Sequence, residues 1–320
     1  MMTDYILSLD IGGTACKLAI VAATGRQFKE LLFPSEFSFQ QPYELNPLLM
    51  QIDSYLPSYI RILESQDFSL EQLSAVAISA TGQIDSHRGV VAGSCGNFPG
   101  WLGTDLRHYV QERFQLPCTV INDANAMLLG EYWLGGLQSY HSIVGVTLGT
   151  GVGGAVISEG HLLLGQRGLA AELGHVAIAA PERRRCSCGL FNCAEQYCSS
   201  SALVRQAQNA GLPYDNTRDI CADLFASGSE PSAALSAVWQ EWLGYLALAL
   251  VNYIHIFNPD CIVIGGGISE QGERLLRPLR EILARLVMPE FWRHLTLSVA
   301  KMGNRAALLG AAYQHLTNRQ

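Results

Sequence analysis

The chain has 320 residues, 49% hydrophobic and 15% charged, a balance that excludes a disordered chain and supports sizeable buried cores. That length exceeds what one core usually holds, so two domains are expected. The net charge is −7 and no basic run exceeds Arg183-Arg184-Arg185, which excludes the electrostatic footprint of a nucleic-acid partner.

No stretch of about 18 uninterrupted apolar residues occurs, so no membrane span is expected. The start, MMTDYILSLDIGG, lacks a basic region followed by an apolar core and a cleavage site. A cytoplasmic protein without a signal peptide is expected. Residues 5–10 and 15–21 are strand patterns, joined by Ile11-Gly12-Gly13-Thr14. Two glycines between two strands allow a tight hairpin whose backbone N–H groups approach a ligand closely. Asp10, at the strand end, is placed to hold a metal-bound water. A polar, proline-bearing segment follows, then a helix over residues 48–65. Residues 73–79 form the next strand, ending in Ala80-Thr81-Gly82-Gln83-Ile84-Asp85. Asn97-Phe98-Pro99-Gly100-Trp101 is a turn-rich loop, and Thr104 is expected to cap a helix over residues 105–114.

The stretch VINDANAMLLGEYWL, residues 120–134, organises the rest. An apolar strand stops at Asn122-Asp123 and a helix begins behind it. In open α/β sheets ligands bind at the carboxyl ends of the strands. Asp123 is therefore a candidate base, and equally an ordinary N-cap, since Asp and Asn are favoured there.

The opening pattern then recurs. Residues 142–148 are an apolar strand, followed by Gly149-Thr150-Gly151-Val152-Gly153-Gly154 and a strand over residues 155–158. SLDIGGTACKLAIVAATG and GVTLGTGVGGAVISEG share one layout of strand, Gly/Thr hairpin, strand and turn. An internal duplication weighs heavily in a fold assignment. It predicts two similar α/β domains facing one another across a cleft, with two hairpins able to hold one polyphosphate. The expected division is residues 1–121 with 304–320 as a small domain, and 122–303 as a large one. Helices follow over residues 200–210, 217–226 and, long and apolar, 231–257. A buried strand, 261–264, opens into Gly265, Gly266 and Gly267, where a flat ring or ribose can lie against backbone. A strand over 295–300 and a helix over 306–316 close the chain.

Nine cysteines in a chain of this length do not read as a disulfide framework. Five are expected to be packing thiols. His175, Cys186, Cys188 and Cys193 have the spacing H-x10-C-x-C-x4-C, which completes a closed tetrahedral Cys3His zinc site. A closed shell makes such a zinc structural, and Gly189 permits the turn between the second and third thiolates. Cys198 is a spare thiol, and Glu172 and Glu195 flank the cluster.

Together DIGGT at 10–14, NDANA at 122–126, LGTGVGG at 148–154, ELGH at 172–175, CSCGLFNCAE at 186–195 and IVIGGGIS at 262–269 resemble the ROK family of repressors and sugar kinases. The resemblance covers almost the whole chain. It implies the two-domain actin/hexokinase-like (sugar kinase–Hsp70–actin) fold, ATP, Mg2+ and a hexose or N-acetylhexosamine. It implies Asp123 as catalytic base, with Asn122, Glu172, His175 and Glu195 on sugar hydroxyls and Gly82, Gln83 and Asn97 lining the same site. The ATP-binding residues expected are Asp10, Gly12, Gly13, Thr14 and Lys17, then Gly149, Thr150, Gly151 and Gly153, then Gly265, Gly266 and Gly267. A homodimer is expected by family analogy. Two positions depart from the family: Asn192 stands where Gly is usual, tolerable because Asn adopts left-handed backbone, and Thr81-Gly82-Gln83 replaces a proline-glycine form. The reading is an ATP-dependent kinase acting on a sugar 6-hydroxyl. The alternatives are a sugar-sensing transcriptional regulator, for which the hairpin at residue 10 leaves no N-terminal helix-turn-helix, and a non-catalytic sugar-binding protein.

Overall fold

The computed structural model describes residues 3–93, 98–226, 228 and 230–318. In chain order the elements are β1 (Asp4–Ile11), β2 (Ala15–Thr24), β3 (Gln27–Ser38), α1 (Leu48–Glu64), β4 (Leu73–Ala80), β5 (Gln83–Asp85), β6 (Val90–Gly93), α2 (Leu106–Phe114), β7 (Cys118–Asn122) and α3 (Asp123–Leu134). There follow β8 (Ile143–Leu148), β9 (Val152–Ser158), β10 (His161–Leu162), α4 (Glu195–Cys198), α5 (Ser200–Asn209), α6 (Thr217–Leu224) and α7 (Ala233–Phe257). The last are β11 (Cys261–Gly265), α8 (Glu273–Leu286), α9 (Pro289–Trp292), β12 (Thr296–Val299) and α10 (Ala306–Asn318).

The chain divides into two compact units. One comprises Met1–Leu137, Leu164–Ala170 and Asn304–Gln320; the other comprises Gln138–Leu163 and Ala171–Gly303. The first holds a sheet of order β3-β2-β1-β4-β7, the second a sheet of order β10-β9-β8-β11-β12. In each, the three strands nearest the hairpin are antiparallel and the remaining neighbours parallel. The duplication expected from the two glycine-threonine hairpins is thus present as a repeated sheet topology.

In the first unit β1 is buried on both faces. Leu7, Leu9 and Ile11 join a core with Leu48, Ile52, Leu56, Tyr59 and Leu63 of α1, whose three- and four-residue spacing makes one apolar stripe. On the other face Ser8 Oγ donates to the Leu308 carbonyl of α10 at 2.7 Å. Helix α10 also crosses α3 at glycines. A Cβ on Gly310 would lie 1.8 Å from the Ala126 oxygen, and one on Gly130 would lie 2.0 Å from the Ala306 oxygen. This backbone-to-backbone packing keeps α3 with the first unit. The boundary expected at residue 122 is therefore corrected to Leu137: β7 and α3 stay together because α3 packs on α10.

Local expectations are corrected at two more places. Asp105, not Thr104, caps α2, accepting the His108 N–H at 2.9 Å. The polar segment after β2 is the strand β3, which carries Pro34 because an edge strand can spare a donor. In the second unit α7 is the centre of the core, burying Trp239, Trp242, Leu243, Leu246, Leu250 and Tyr253. By length and composition α7 could cross a bilayer, with mean hydropathy 1.3 over its most apolar window, yet 56% of that window is buried inside the fold.

Filling the α3–α10 contact tests its weight. Gly310→Ala is expected to destabilise the first unit by about 3 kcal/mol or more, because the neighbour that must yield is backbone. A urea midpoint within error of wild type would refute the close approach.

Candidate active site and metal centre

The parallel strands of the first unit end level with one another. Ile11 is in register with Ala80, and Ala80 with Asn122. That register gathers Asp10, the hairpin Gly12–Thr14, Gly82 and Asn122-Asp123 at the carboxyl edge of one sheet. The N-cap of α3 is Asn122, whose Oδ1 accepts the N–H groups of Ala124 at 2.9 Å and Asn125 at 3.3 Å. Its Nδ2 donates to the Gly82 carbonyl and to Asp123 Oδ1, both at 2.9 Å. Asn122 thereby uses both donors and both lone pairs within the protein. Asp123, half-buried, sits one residue inside the cap, and its Oδ1 also accepts the Ala124 N–H at 2.8 Å.

Asp10 is 7% exposed. Its Oδ1 accepts the Ser79 hydroxyl at 2.8 Å, and its Oδ2 pairs with Lys17 Nζ at 3.2 Å. Lys17 reaches it because β2 places residue 17 opposite residue 10. The Gly12 N–H closes the hairpin on the Ala15 carbonyl at 3.0 Å, leaving Gly13 and the exposed Thr14 at the tip. Gly82 adopts φ +96°, and Gln83 packs against Gly93. Asn97 lies outside the described residues.

The second unit repeats the arrangement. The amide of Gly149 donates to the Gly151 carbonyl at 3.0 Å, and that of Gly153 to Thr147 Oγ1 at 3.1 Å. Thr150 is exposed at the tip of this hairpin. Gly265 is in register with Thr147. Gly266 follows at φ +90°, where a Cβ would lie 2.2 Å from the Leu148 oxygen. Gly265, Gly266 and Gly267 therefore border the hairpin, and only a glycine permits the approach.

His175, Cys186, Cys188 and Cys193 offer one ligand atom each, all within 4.8 Å of one another. Cys188 Sγ lies 3.7 Å from Cys193 Sγ, and Cys186 Sγ lies 3.7 Å from His175 Nδ1. A tetrahedral zinc site has ligand-to-ligand edges of about 3.3–3.8 Å, so these residues fit such an ion. Backbone pairing builds the cage: Ile178 N–H donates to Asn192 O, Ala194 N–H to Val176 O, and Cys186 N–H to Leu190 O. Gly189 turns the loop at φ +91°. Burial pushes the Cys186 and Cys193 thiols up, so a dication is the natural partner that would let them ionise. Cys198 stands apart. Its thiol donates to the Ala194 carbonyl at 3.1 Å, and burial, with Glu195 nearby, pushes it up to about 12.

The flanking acids converge on this cage. His175 Nε2 lies 4.0 Å from Glu172 Oε2, while its Nδ1 faces the thiols. Glu195 Oε1 lies 3.7 Å from Cys186 Sγ. Asp123 belongs to the first unit, and Glu172, His175 and Glu195 to the second. Sequence reasoning passed over Ser79 and Thr147, which hold Asp10 and the second hairpin. Each is a hydroxyl near the carboxyl end of a largely apolar strand, the signal by which it could be found.

Asn192, where the family resemblance led to an expected glycine, adopts φ +61°. Its Oδ1 lies 3.0 Å from the Tyr197 hydroxyl. Asn192→Gly is expected to keep stability within about 1 kcal/mol, because glycine populates this region freely. Asn192→Val should lose about 1–3 kcal/mol and loosen the cage. Denaturation midpoints and metal content of the two variants check this.

Residues 6–317 match the ROK family. The glucokinase of Thermotoga maritima is 32% identical over 322 residues, covering 96% of each chain. A ROK family glucokinase from Streptomyces griseus, solved in complex with glucose and AMPPNP, superposes with a TM-score of 0.75 at 30% identity, covering 96% of this chain and 98% of that one. A ROK hexokinase from Thermus thermophilus superposes with a TM-score of 0.78 at 28% identity, covering 99% and 100%. With the family match spanning nearly its whole length, this chain belongs to the ROK family, and its fold is the actin/hexokinase-like fold of the ROK sugar kinases.

Proposed function

We propose that this chain transfers the γ-phosphoryl group of ATP to the 6-hydroxyl of a hexose or N-acetylhexosamine, with Asp123 as the base. The coarse activity is that of a sugar kinase, as it is for the glucokinase and hexokinase relatives that align over nearly all of both chains. The assignment of Asp123 rests chiefly on the division of labour at the start of α3. Asn122 caps the helix, so the acid beside it is not needed as the N-cap. Asn122 also ties that acid to the Gly82 loop, which makes Asn122 a positioning residue, its side chain engaged within the protein rather than on the sugar hydroxyl that the family resemblance implied.

Asp123 would accept the proton of the attacking hydroxyl. Positioning and charge stabilisation supply most of the catalysis in phosphoryl transfer. The two hairpin tips, around Gly13-Thr14 and Thr150-Gly151, would meet the phosphates, and Gly265–Gly267 the nucleoside. Mg2+ on the phosphates would neutralise charge there, and Asp10 is the carboxylate that would hold it through water. Glu172 and Glu195 would accept hydrogen bonds from ring hydroxyls, and His175, with Nδ1 toward the metal, would donate its Nε2–H to a ring oxygen, orienting the sugar. His175, Cys186, Cys188 and Cys193 would hold a structural Zn2+ that fixes this group of side chains. A cytoplasmic location belongs to the same proposal.

Asp123→Asn keeps size and hydrogen bonding but removes basicity. A loss of kcat of roughly 10²-fold or more is expected with sugar affinity largely kept, since general bases contribute about 10²–10⁴-fold. Near-normal turnover would remove Asp123 from the role. A 6-deoxy sugar should inhibit without being phosphorylated, and product NMR placing phosphate on carbon 1 would reverse the proposed orientation.

Metal analysis should find about one zinc per chain. Cys193→Ser should lower zinc content and thermal stability together, because metal binding is linked to folding at such sites. Full stability of zinc-free protein would refute a structural metal.

A further inference from the structure

The loop that carries the proposed metal is fastened to the second glycine hairpin by contacts that sugar binding does not call for. Glu195 follows Cys193 by two residues and opens α4. Its Oε2 accepts the Val152 N–H at 3.1 Å. The approach is close enough that a Cβ on Gly151 would lie 2.2 Å from that oxygen. Five residues on, the Ser200 N–H donates to the Gly149 carbonyl at 2.9 Å and its hydroxyl donates to the Leu148 carbonyl at 3.2 Å. The turn between these two anchors is itself tied down, with Trp242 Nε1 donating to the Ser199 carbonyl at 3.0 Å. Two points of one short segment thus grip both ends of the hairpin, and that segment begins at a cage residue.

We propose that Glu195 is a positioning residue for the nucleotide, holding the hairpin 148–152 in shape so that metal occupancy of the Cys3His cage sets affinity for ATP as well as for sugar. The proposal rests on the reading above that this hairpin meets ATP. A carboxylate accepting a backbone N–H makes one of the stronger hydrogen bonds in a protein. It aligns the turn in which Gly149 and Gly153 already bond internally, so the tip at Thr150-Gly151 is presented in one conformation. If the cage segment shifts, Glu195 leaves Val152 and the tip must be ordered by the nucleotide itself, at the expense of affinity.

The test is binding of the Mg2+ complex of a non-hydrolysable ATP analogue, by titration calorimetry without sugar. It uses wild type, Glu195→Ala and Glu195→Gln, each with metal content measured, before and after chelation. In metal-loaded protein Glu195→Ala should weaken the analogue about tenfold. Glu195→Gln, whose amide oxygen still accepts the Val152 N–H, should bind nearly as wild type. Chelation should weaken wild type about tenfold and add little to Glu195→Ala. Hydrogen exchange of the Val152 amide in the metal-loaded proteins provides a readout independent of chelation, with protection in wild type and Glu195→Gln and its loss in Glu195→Ala. Equal affinity of wild type and Glu195→Ala, or equal Val152 protection in both, overturns the positioning role while leaving the kinase reading standing. Equal losses on chelation in wild type and Glu195→Ala overturn the link to the metal. No analogue binding by metal-loaded wild type overturns this proposal and the nucleotide reading together.

Discussion

The saturated side chain of Asn122 is the constraint on which the candidate site in the first unit depends. A helix start leaves backbone donors that something must satisfy. Here one amide oxygen takes two of them while the amide nitrogen ties the Gly82 loop to Asp123. Cap, loop and acid become one rigid piece at the end of β7. By delegating the cap to Asn122, the chain keeps an acid at the sheet edge without sacrificing the helix behind it.

That piece is only as well placed as α3, and α3 is placed by α10. The crossing works because Gly130 and Gly310 let backbone meet backbone. Ser8 on β1 adds a hydrogen bond to the same helix. Two segments far apart in sequence, one following β7 and one at the end of the chain, therefore set the position of Asp123 jointly. This explains why the first unit includes residues 122–137, although a boundary at the end of β7 looks natural from the linear order.

The second unit solves a similar problem beside the cluster of His175, Cys186, Cys188 and Cys193. Where Ser79 and Lys17 hold Asp10 beside the first hairpin, the second hairpin leans on Thr147 beneath it and on Glu195 and Ser200 beside it. The duplicated sheets share their topology, but the groups supporting their hairpins differ. Asn192 shows how the cage loop is specified: its backbone is left-handed at φ +61°, and this chain meets that with a side chain that tolerates the region.

Much of this was legible in the chain. Hairpin glycines, strand periodicity, the duplication and the spacing of His175 with Cys186, Cys188 and Cys193 are local or nearly local, because a turn, a pleat and a metal knuckle each constrain residues close in sequence. The sequence by itself determined the family, the repeated sheets, the grouping of His175 with Cys186, Cys188 and Cys193 and the stretch bearing Asp123. Tertiary structure alone decided that Asn122 rather than Asp123 is the cap, that β3 is an edge strand tolerating Pro34, that α3 belongs with α10, and that Glu195 reaches Val152. Each of those depends on which atoms meet across tens or hundreds of residues. Hydrogen-bond partners and close helix crossings leave no periodicity in the sequence, and they become determinate only when the sheets have brought those segments together.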